Sequence, residues 1–506
     1  MDIRPSQAEF IRMAKQATVI PVWGELLADL DTPVSAFLKL DDGRTSFLLE
    51  SVEGEERVAR FSFLGSRPKL MFKSHDRDIE VIERRGVKRL TVDRYQTTRG
   101  PLVEIERLMG RFRVVPTPQL PRFYGGLVGY LGYNTVQFIE RLPSHRVDRL
   151  DVPDIMLMLT ETMVIFDHAR HKMLLVVNAF TEEGKPIEVY RHCVSTIRAM
   201  ARRLARPAEL TVGRWMAPRE RPLKVRSNLS RSEFAQMVNR AKAYIRAGDL
   251  IQVVLSQRFE RPTRCGPLDV YRALRSLNPS PYMYLLRFGP MSLVGSSPEM
   301  LVRCEEGEIE TRPIAGTRPR GLDDHEDEHL IQQLLKSPKE RAEHLMLVDL
   351  GRNDLGRVAQ VGTVHTPEFM VIEKYSHVVH LVSGVRARLR RGKNAFDVLR
   401  AAFPAGTVTG APKVRAMEVI AELEREDRGP YAGAVGYFSF SGNLDTCITI
   451  RTILMKARHA YVQAGAGIVA DSRPEREYQE TVNKAKGMLE AIALAEKGLA
   501  RVPVHP

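Results

Sequence analysis

The sequence predicts a mixed α+β protein, because short strand patterns and longer helical patterns alternate along the chain. Four segments before residue 200 have the apolar pattern of strands and are separated by Gly and Pro: 46–51, 58–63, 158–166 and 173–177. Helical periodicity covers residues 102–111 and 185–205, so the first half combines both kinds of element.

The second half continues this alternation of helices and strands to its end. Ser230 begins the run Ser-Arg-Ser-Glu-Phe, in which a serine caps the first turn of a helix. Two Gly-rich segments, 124–130 and 431–437, have similar sequences. We expect both to be closely packed strands at equivalent positions of two halves of one architecture.

A chain of 506 residues is too long for one simple core, so we expect two domains or one large composite domain. Residues 202–226 contain eight basic and two acidic side chains, with three prolines and little periodicity, which is typical of a linker. The sequence therefore predicts a first domain at 1–205, a basic linker at 206–228 and a second domain at 229–506.

The net charge of +14 does not by itself indicate a nucleic-acid-binding protein, because the basic residues of the linker are accompanied by a single aromatic side chain, Trp215, and not by the repeated interleaving of a base-stacking surface. The four cysteines form no CxxC pair. The first residues lack an apolar signal segment, and no run of about 18 apolar residues occurs. We expect a soluble, cytoplasmic protein that binds neither nucleic acid nor membrane.

Residues 464–485 predict an anion site beside a row of carboxylates. Gly465 and Gly467 end a strand and allow a ligand to approach the backbone amides closely. Glu477 and Glu480 are one turn apart in the helix that follows, so they share a face. The alternative is an ordinary solvated helix face.

A second acidic helix begins at Ser337 and Pro338, where it repeats this geometry with Glu340 and Glu343. Glu340 also fits the capping position three residues after Ser337, whereas Glu343 has no such local role. Two such pairs in one chain favour a divalent cation held by oxygen atoms. Mg²⁺ suits the pattern, because it usually takes one or two carboxylates together with waters and an anionic ligand.

Three further segments admit two interpretations each. Residues 406–413 form a Gly-rich turn before a helix that begins at Pro412, which is either an anion site or a plain junction. Arg451 in the predicted strand 447–453 either clamps a carboxylate or lies on an exposed edge. Residues 325–329 match the HExxH zinc pattern, but the surrounding acidic side chains argue against a zinc helix.

Several motifs occur in the order found in chorismate-utilising enzymes, and the match covers about residues 230–490. They lie at 313–320, 343–354, 380–383, 403–413 and 464–485. Residues 48–51 and 278–283 resemble the large subunits of anthranilate synthases, called component I. The resemblance implies a large mixed β/α sandwich with antiparallel sheets covered by helices. It also implies tryptophan-regulatory elements before the linker and a chorismate-binding catalytic domain after it.

The resemblance implies a carbon–oxygen lyase of tryptophan biosynthesis that converts chorismate and ammonia to anthranilate and pyruvate. By residue-to-residue matching, Glu343 and Glu480 would hold Mg²⁺. His380 would protonate the leaving hydroxyl with help from Thr407, and Glu340 would act as the base. The alternative for His380 is a hydrogen-bonded core histidine. Substrate contacts would come from Gly316, Thr317, Tyr431, Arg451, Gly465, Ala466 and Gly467.

The resemblance also implies feedback inhibition, since the residues that match Ser51, Pro281, Tyr282 and Met283 bind tryptophan in the family. No cysteine lies in a Gly-x-Cys-x-Gly nucleophile turn. Ammonia from glutamine would therefore require a separate amidotransferase subunit, component II.

Two positions distinguish members of the family. Aminodeoxychorismate synthases often carry a nucleophilic lysine where this chain has Ala315, and isochorismate synthases carry a water-activating lysine where it has Gln252. Neither side chain here can perform those roles, which favours direct attack by ammonia. Aminodeoxychorismate synthase component I and a non-catalytic tryptophan-sensing subunit remain the alternatives.

Overall fold

A computed structural model of the chain describes residues 1–51, 60–85, 89–143, 147–207, 225–321, 323–374 and 378–497. Its strands, in chain order, are β1 (Ile3–Arg4), β2 (Val19–Leu27), β3 (Thr45–Glu50), β4 (Phe61–Ser66), β5 (Leu70–His75), β6 (Asp78–Arg85), β7 (Arg89–Gln96), β8 (Gly126–Leu131), β9 (Ile155–Leu159), β10 (Thr162–Asp167), β11 (Lys172–Phe180), β12 (Arg226–Ser227), β13 (Gln252–Pro262), β14 (Tyr282–Phe288), β15 (Met291–Ser297), β16 (Met300–Glu305), β17 (Glu308–Thr311), β18 (Ile314–Pro319), β19 (His365–Lys374), β20 (Val378–Arg388), β21 (Gly410–Ala411), β22 (Ala434–Ser439), β23 (Leu444–Ile448), β24 (Thr452–Lys456) and β25 (His459–Ile468).

The helices cover the sheets on their outer sides. They are α1 (Gln7–Met13), α2 (Pro33–Leu40), α3 (Pro101–Met109), α4 (Pro186–Leu204), α5 (Arg231–Arg246), α6 (Pro267–Leu277), α7 (Asp324–Lys336), α8 (Pro338–Gly356), α9 (Ala395–Ala402), α10 (Lys413–Leu423) and α11 (Pro474–Glu496). None of the helices in the described ranges is long and apolar enough to cross a membrane.

The strands of the described ranges form two large antiparallel sheets. The first has the order β1-β2-β11-β10-β4-β3-β14-β15-β24-β25-β13-β12, with β21 paired to β13. The second has the order β18-β20-β17-β16-β23-β22-β8-β9-β5-β6-β7, with β19 paired to β20. The predicted α+β sandwich with antiparallel sheets is confirmed.

A layer of large apolar side chains fills the space between the two sheets. Phe47 and Phe63 from the first sheet and Val128, Met158 and Val435 from the second belong to one buried cluster. On the outer faces, α4 and α6 pack against β11 and β15 of the first sheet, while α8 and α9 pack against β18 and β16 of the second. Each sheet is thus buried on both faces, which explains the apolar strands.

Local signals in the sequence predicted several elements correctly. The helical patterns at 102–111 and 185–205 correspond to α3 and α4. Ser230 caps α5 through a capping box with Glu233. The predicted strand at 158–166 is instead two strands, β9 in the second sheet and β10 in the first, joined at Thr160 and Glu161. Residues 58 and 59 of another predicted strand lie outside the described residues.

The two Gly-rich segments lie side by side, because β8 and β22 are neighbouring antiparallel strands with Gly129 opposite Gly436. A Cβ atom added at Gly129 would lie 2.0 Å from the carbonyl oxygen of Met156, and one added at Gly436 would lie 2.0 Å from that of Asp445. The predicted close packing is confirmed, and it requires glycine at both positions.

Most of the predicted linker, residues 208–224, lies outside the described residues. The division of the chain at 206–228 stays a prediction. Both sheets contain strands from either side of this segment, since β3 pairs with β14 and β8 pairs with β22.

Two local expectations were wrong. Arg451 is not in mid-strand, because β23 ends at Ile448 and the chain crosses to the other sheet before β24 begins. Pro412 is the N-cap of α10 rather than its first helical residue. In the HExxH segment, both histidines and both glutamates are exposed, whereas Asp327 is buried and accepts hydrogen bonds from Arg320 and from the backbone of Gly321.

Candidate active site

The predicted site residues come together where the ends of strands from both sheets meet α8 and α11. Gly316 on β18 has a φ of +68°, and a Cβ atom there would lie 3.2 Å from Oε2 of Glu340 on α8. His380 on β20 lies with Nδ1 3.3 Å from the carbonyl oxygen of Gly316. The backbone of Thr317 pairs with His380, while its side chain lies outside the described part of the structure.

A second set of contacts connects β13 and β25 to the carboxylates of α8. Gln252 hydrogen-bonds to the carboxylate of Glu343, and a Cβ atom at Gly467 would lie 2.5 Å from Nε2 of Gln252. A Cβ atom at Gly465 would lie 2.6 Å from the hydroxyl of Tyr431. Ala466 between them is fully buried. Glycine at 465 and 467 is therefore what allows Tyr431 and Gln252 to pack against β25.

The acidic faces of α8 and α11 lie close enough to influence each other. Burial, followed by the neighbouring Glu340, raises the pKa of Glu343 above its usual value. Burial also raises the pKa of Glu477, with a smaller contribution from Glu480. Lys339 and Lys484 oppose both shifts, so the two helix starts share one electrostatic environment.

Lys484 lies inside this carboxylate cluster rather than on a plain surface. Its Nζ is 2.6 Å from Oε1 of Glu480 and donates to the carbonyl oxygen of Gly465 at 3.0 Å. Glu340 turns away from the helix cap and is 3.2 Å from Nη1 of Arg318. The solvated interpretation therefore fits Glu480 in part, since its side chain is 45% exposed, but it does not fit Glu343.

The carboxylates of α8 and α11 suit a cation that keeps most of its coordinated water molecules. Within the described residues, no group of three or more His, Cys, Asp or Glu side chains converges as a protein-only metal site. A crowded set of partly buried carboxylates nevertheless favours a cation, and Mg²⁺ needs only one or two of them. Glu343 on α8 and Glu480 on α11 are the carboxylates that the sequence predicted for this role.

Arg451 carries a guanidinium that lies near Tyr431. It lies between β23 and β24 with a φ of +51°, which is unusual for a non-glycine residue. Its guanidinium makes no hydrogen bond or ion pair within the described residues, and burial lowers its pKa, with Tyr431 opposing the change. A buried, unmatched guanidinium is stabilised by a carboxylate that arrives with a ligand.

His380 is neutral near pH 7 in this environment. Burial lowers its pKa, the hydrogen bond to the Gly316 carbonyl partly restores it, and the charge of Arg451 lowers it further. The imidazole can therefore hydrogen-bond to a ligand but carries little positive charge.

Glu299 is a site residue that the motif analysis missed. It lies between β15 and β16 and is 4% exposed, and burial raises its pKa to about 8. Thr407 Oγ1 donates to Glu299 Oε1 at 2.7 Å, and the backbone of Ile314 donates to the same carboxyl. A cavity lined by Glu299, Thr407 and Ile448 opens beside them. The one sequence signal was a glutamate placed directly between two buried strand patterns.

The four residues expected to bind tryptophan line a separate cavity between the sheets. The hydroxyl of Ser51 is buried and has no hydrogen-bond partner within the described residues. Tyr282 donates to Asp445 at 3.0 Å, and Asp445 also accepts from Arg303 at 3.1 Å. The cavity thus combines an aromatic wall, a fixed ion pair and the hydroxyl of Ser51.

Comparison with known proteins identifies the class of enzyme that this fold and site define. A family model described as a chorismate binding enzyme matches residues 46–490. The chain therefore belongs to the family of chorismate-binding enzymes.

Its relatives within this family are component 1 chains of anthranilate synthase. The chain is 48% identical over 497 residues to the one from Acetivibrio thermocellus, which covers 96% of this chain and 98% of the relative. It is 48% identical over 499 residues to the one from Aquifex aeolicus, with 98% and 99% coverage.

Solved structures agree with this assignment. Anthranilate synthase component I from Streptococcus pneumoniae superposes with a TM-score of 0.75 and 37% identity, covering 92% of this chain and 99% of that one. The menaquinone-specific isochorismate synthase from Escherichia coli shares the fold, with a TM-score of 0.69 and 20% identity. The family resemblance predicted from the sequence is confirmed.

Proposed function

We propose that the chain converts chorismate and ammonia to anthranilate and pyruvate in tryptophan biosynthesis. The observation that carries this proposal is the protonated carboxyl of Glu299 beside Thr407, in a site that also presents the unmatched guanidinium of Arg451. Glu299 would donate a proton to the leaving hydroxyl of chorismate, and Arg451 would bind one of its carboxylates. The reaction requires both groups.

In the proposed reaction, ammonia forms a bond to ring carbon 2 as the carbon–oxygen bond of the hydroxyl at carbon 4 breaks. Hydroxide is a poor leaving group, so a proton must reach the departing oxygen. We assign that proton to Glu299, positioned by Thr407, rather than to His380 as the sequence suggested. The pKa of Glu299 of about 8 keeps it protonated near neutral pH, whereas the lowered pKa of His380 leaves its imidazole neutral.

The second half of the reaction removes the proton from carbon 2 and breaks the bond to the enolpyruvyl oxygen, which releases pyruvate. We assign the base to Glu340, whose carboxylate lies next to Gly316. His380 then serves as a neutral hydrogen-bonding group that contacts the carbonyl oxygen of Gly316. Substrate contacts are further proposed for Tyr431, Gly465, Ala466 and Gly467, and the close approach of the Tyr431 hydroxyl to Gly465 supports placing them in one site.

We further propose that Glu343 and Glu480 hold Mg²⁺. A bound Mg²⁺ would neutralise the carboxylates of α8 and α11 and attract the ring carboxylate of chorismate. Without such a cation, two like charges about 4 Å apart at an effective dielectric of about 20 repel by roughly 4 kcal/mol.

Ammonia from glutamine would come from a separate amidotransferase subunit. The cysteine thiols support this proposal, because burial raises the pKa of Cys193 to about 12 and those of Cys265 and Cys304 to about 11. Cys447 is buried and shifted in the same direction. A glutaminase needs a thiolate nucleophile, and these four thiols are unsuited to the role.

Feedback inhibition by tryptophan is proposed on the cavity between the sheets. Ser51 offers an unmatched hydroxyl, while Pro281, Tyr282 and Met283 form its wall. The indole ring matches the apolar walls, and the polar groups at the rim can bind the amino-acid portion.

One assay tests the proposed function. Purified protein is mixed with chorismate, Mg²⁺ and an ammonium salt, and anthranilate is followed by its fluorescence, with and without a chelator and tryptophan. We expect anthranilate to form with ammonium alone, to stop with the chelator and to fall with tryptophan. Formation of the 4-amino isomer would favour aminodeoxychorismate synthase, and absence of turnover would favour the non-catalytic sensing subunit.

A further inference from the structure

Arg428 is the largest of the fully buried side chains, and every branch of its guanidinium is bonded. Nε and Nη2 donate to the carboxylate of Glu424 at 2.8 and 2.6 Å, which makes a bidentate buried pair. Glu424 also accepts from the backbone and the hydroxyl of Ser256 on β13. Such a pair is satisfied on all sides, so it is rigid.

The remaining donors of Arg428 fix two backbone segments relative to each other. Nη1 donates to the carbonyl oxygen of Val408 at 2.8 Å, and Nη2 donates to that of Val254 at 2.8 Å. Val408 directly follows Thr407, whose hydroxyl holds Glu299. The guanidinium therefore ties the loop that carries Thr407 to β13.

The same guanidinium also lies between two tyrosine rings. Its Cζ atom is 4.8 Å from the ring centre of Tyr133 and 5.6 Å from that of Tyr431. The hydroxyl of Tyr431 packs against Gly465, and both belong to the proposed substrate site. One side chain thus contacts both the loop of the proton donor and a wall of the proposed substrate site, although it lies outside both.

We infer that Arg428 is a positioning residue that, through Val408 and Tyr431, holds Thr407 against Glu299 and fixes the substrate-facing tyrosine. This inference rests on the proposed function, since it assigns the support of that site. Lysine cannot replace arginine here, because one ammonium cannot reach the Glu424 carboxylate and two divergent carbonyl oxygens in a planar fork. A displacement of the loop by about 1 Å is enough to cost on the order of a hundredfold in rate.

The test compares Arg428→Lys with Arg261→Lys, a buried arginine paired with Glu496 away from the site. We expect Arg428→Lys to lower kcat by about ten- to a hundredfold. We expect Arg261→Lys to leave kcat within about threefold at a similar loss of thermal stability. If the fall in kcat of both variants is proportional to the fall in their melting temperatures, Arg428 only stabilises the fold and the inference is refuted.

A double-mutant cycle with Thr407→Val separates positioning from general destabilisation. If Arg428 acts through Thr407, the fall in kcat caused by Arg428→Lys is several-fold smaller in the Thr407→Val background than in the wild type. Fully additive effects of the two substitutions on the activation free energy refute the inference. Glu424→Gln provides a second variant if Arg428→Lys does not fold, and we expect it to show the same coupling to Thr407. Wild-type protein that forms no anthranilate contradicts the proposed function itself, whereas active wild type with uncoupled variants contradicts only the inference.

Discussion

Replacement of Glu299 by glutamine tests the proton donor through two opposite effects. The amide keeps the shape and the hydrogen bond with Thr407 but cannot release a proton to the leaving hydroxyl. Since the pKa of Glu299 is about 8, roughly nine-tenths of the wild-type carboxyl is protonated at pH 7. We expect kcat to fall by about 10²–10⁴, which is the usual contribution of a general acid.

The same substitution should increase stability near neutral pH. The folded protein keeps the Glu299 proton up to about pH 8, while the unfolded chain releases it near the ordinary value of 4.5. Because the native state binds more protons in this window, its stability falls as pH rises from 4.5 towards 8. At about 1.4 kcal/mol per pH unit, the cost at pH 7 is roughly 3 kcal/mol, and glutamine removes it.

The assay measures anthranilate formation from pH 6 to 10 at a fixed concentration of free ammonia, and urea unfolding at pH 5 and pH 7. Wild-type kcat should fall about tenfold between pH 7 and pH 9. Thr407→Val should move this alkaline fall in kcat to higher pH, because the Thr407 hydrogen bond lowers the pKa of Glu299. Glu25→Gln, in an exposed surface pair with Lys172, is the matched control and should change neither property. Near-normal kcat in Glu299→Gln would refute the assignment.

Three further substitutions and one control address the proposed substrate contact, the proposed effector cavity and the glycines of β25. Arg451→Gln should raise the KM for chorismate on the order of 10–100-fold, because a charged hydrogen bond to a carboxylate is lost, and steady-state kinetics at saturating ammonia measure it. Ser51→Ala should weaken tryptophan binding about fivefold in calorimetry and leave uninhibited kcat unchanged. Gly467→Ala should lower chorismate turnover, since its Cβ would displace the amide of Gln252 from the carboxylate of Glu343. Gly487→Ala, which meets nothing within 4 Å in α11, should stay active and gain about 0.5–1 kcal/mol of stability.

Sequence patterns identified those parts of the fold and site that depend on local spacing. The capping serine of α5 and the paired carboxylates of α8 depend only on residues three or four apart, so the helical repeat places them. The close packing of Gly129 and Gly436 was visible because two similar segments occur in one chain.

The remaining parts of the site depend on contacts between distant segments. Glu299 is separated from Thr407 by 108 positions, and its raised pKa results from burial between the sheets, which no local window encodes. Arg451 appeared to continue a strand because Ile448 and Ile450 alternate with it. The chain instead leaves one sheet and enters the other at this point, and Arg451 takes up a left-handed conformation in the crossing.

The crossing also explains how the proposed effector cavity can influence the proposed reaction site. Strand β23 carries Asp445, which holds Tyr282 and Arg303 in the cavity. Three residues later, the backbone of Ile448 donates to the backbone carbonyl of Glu299 at 3.0 Å. All five residues of β23 are buried, so a displacement at Asp445 cannot be absorbed by solvent and must pass along the strand. A ligand that moves Asp445 would therefore also move the support of the proposed proton donor, and the proposed inhibition needs no contact between tryptophan and chorismate.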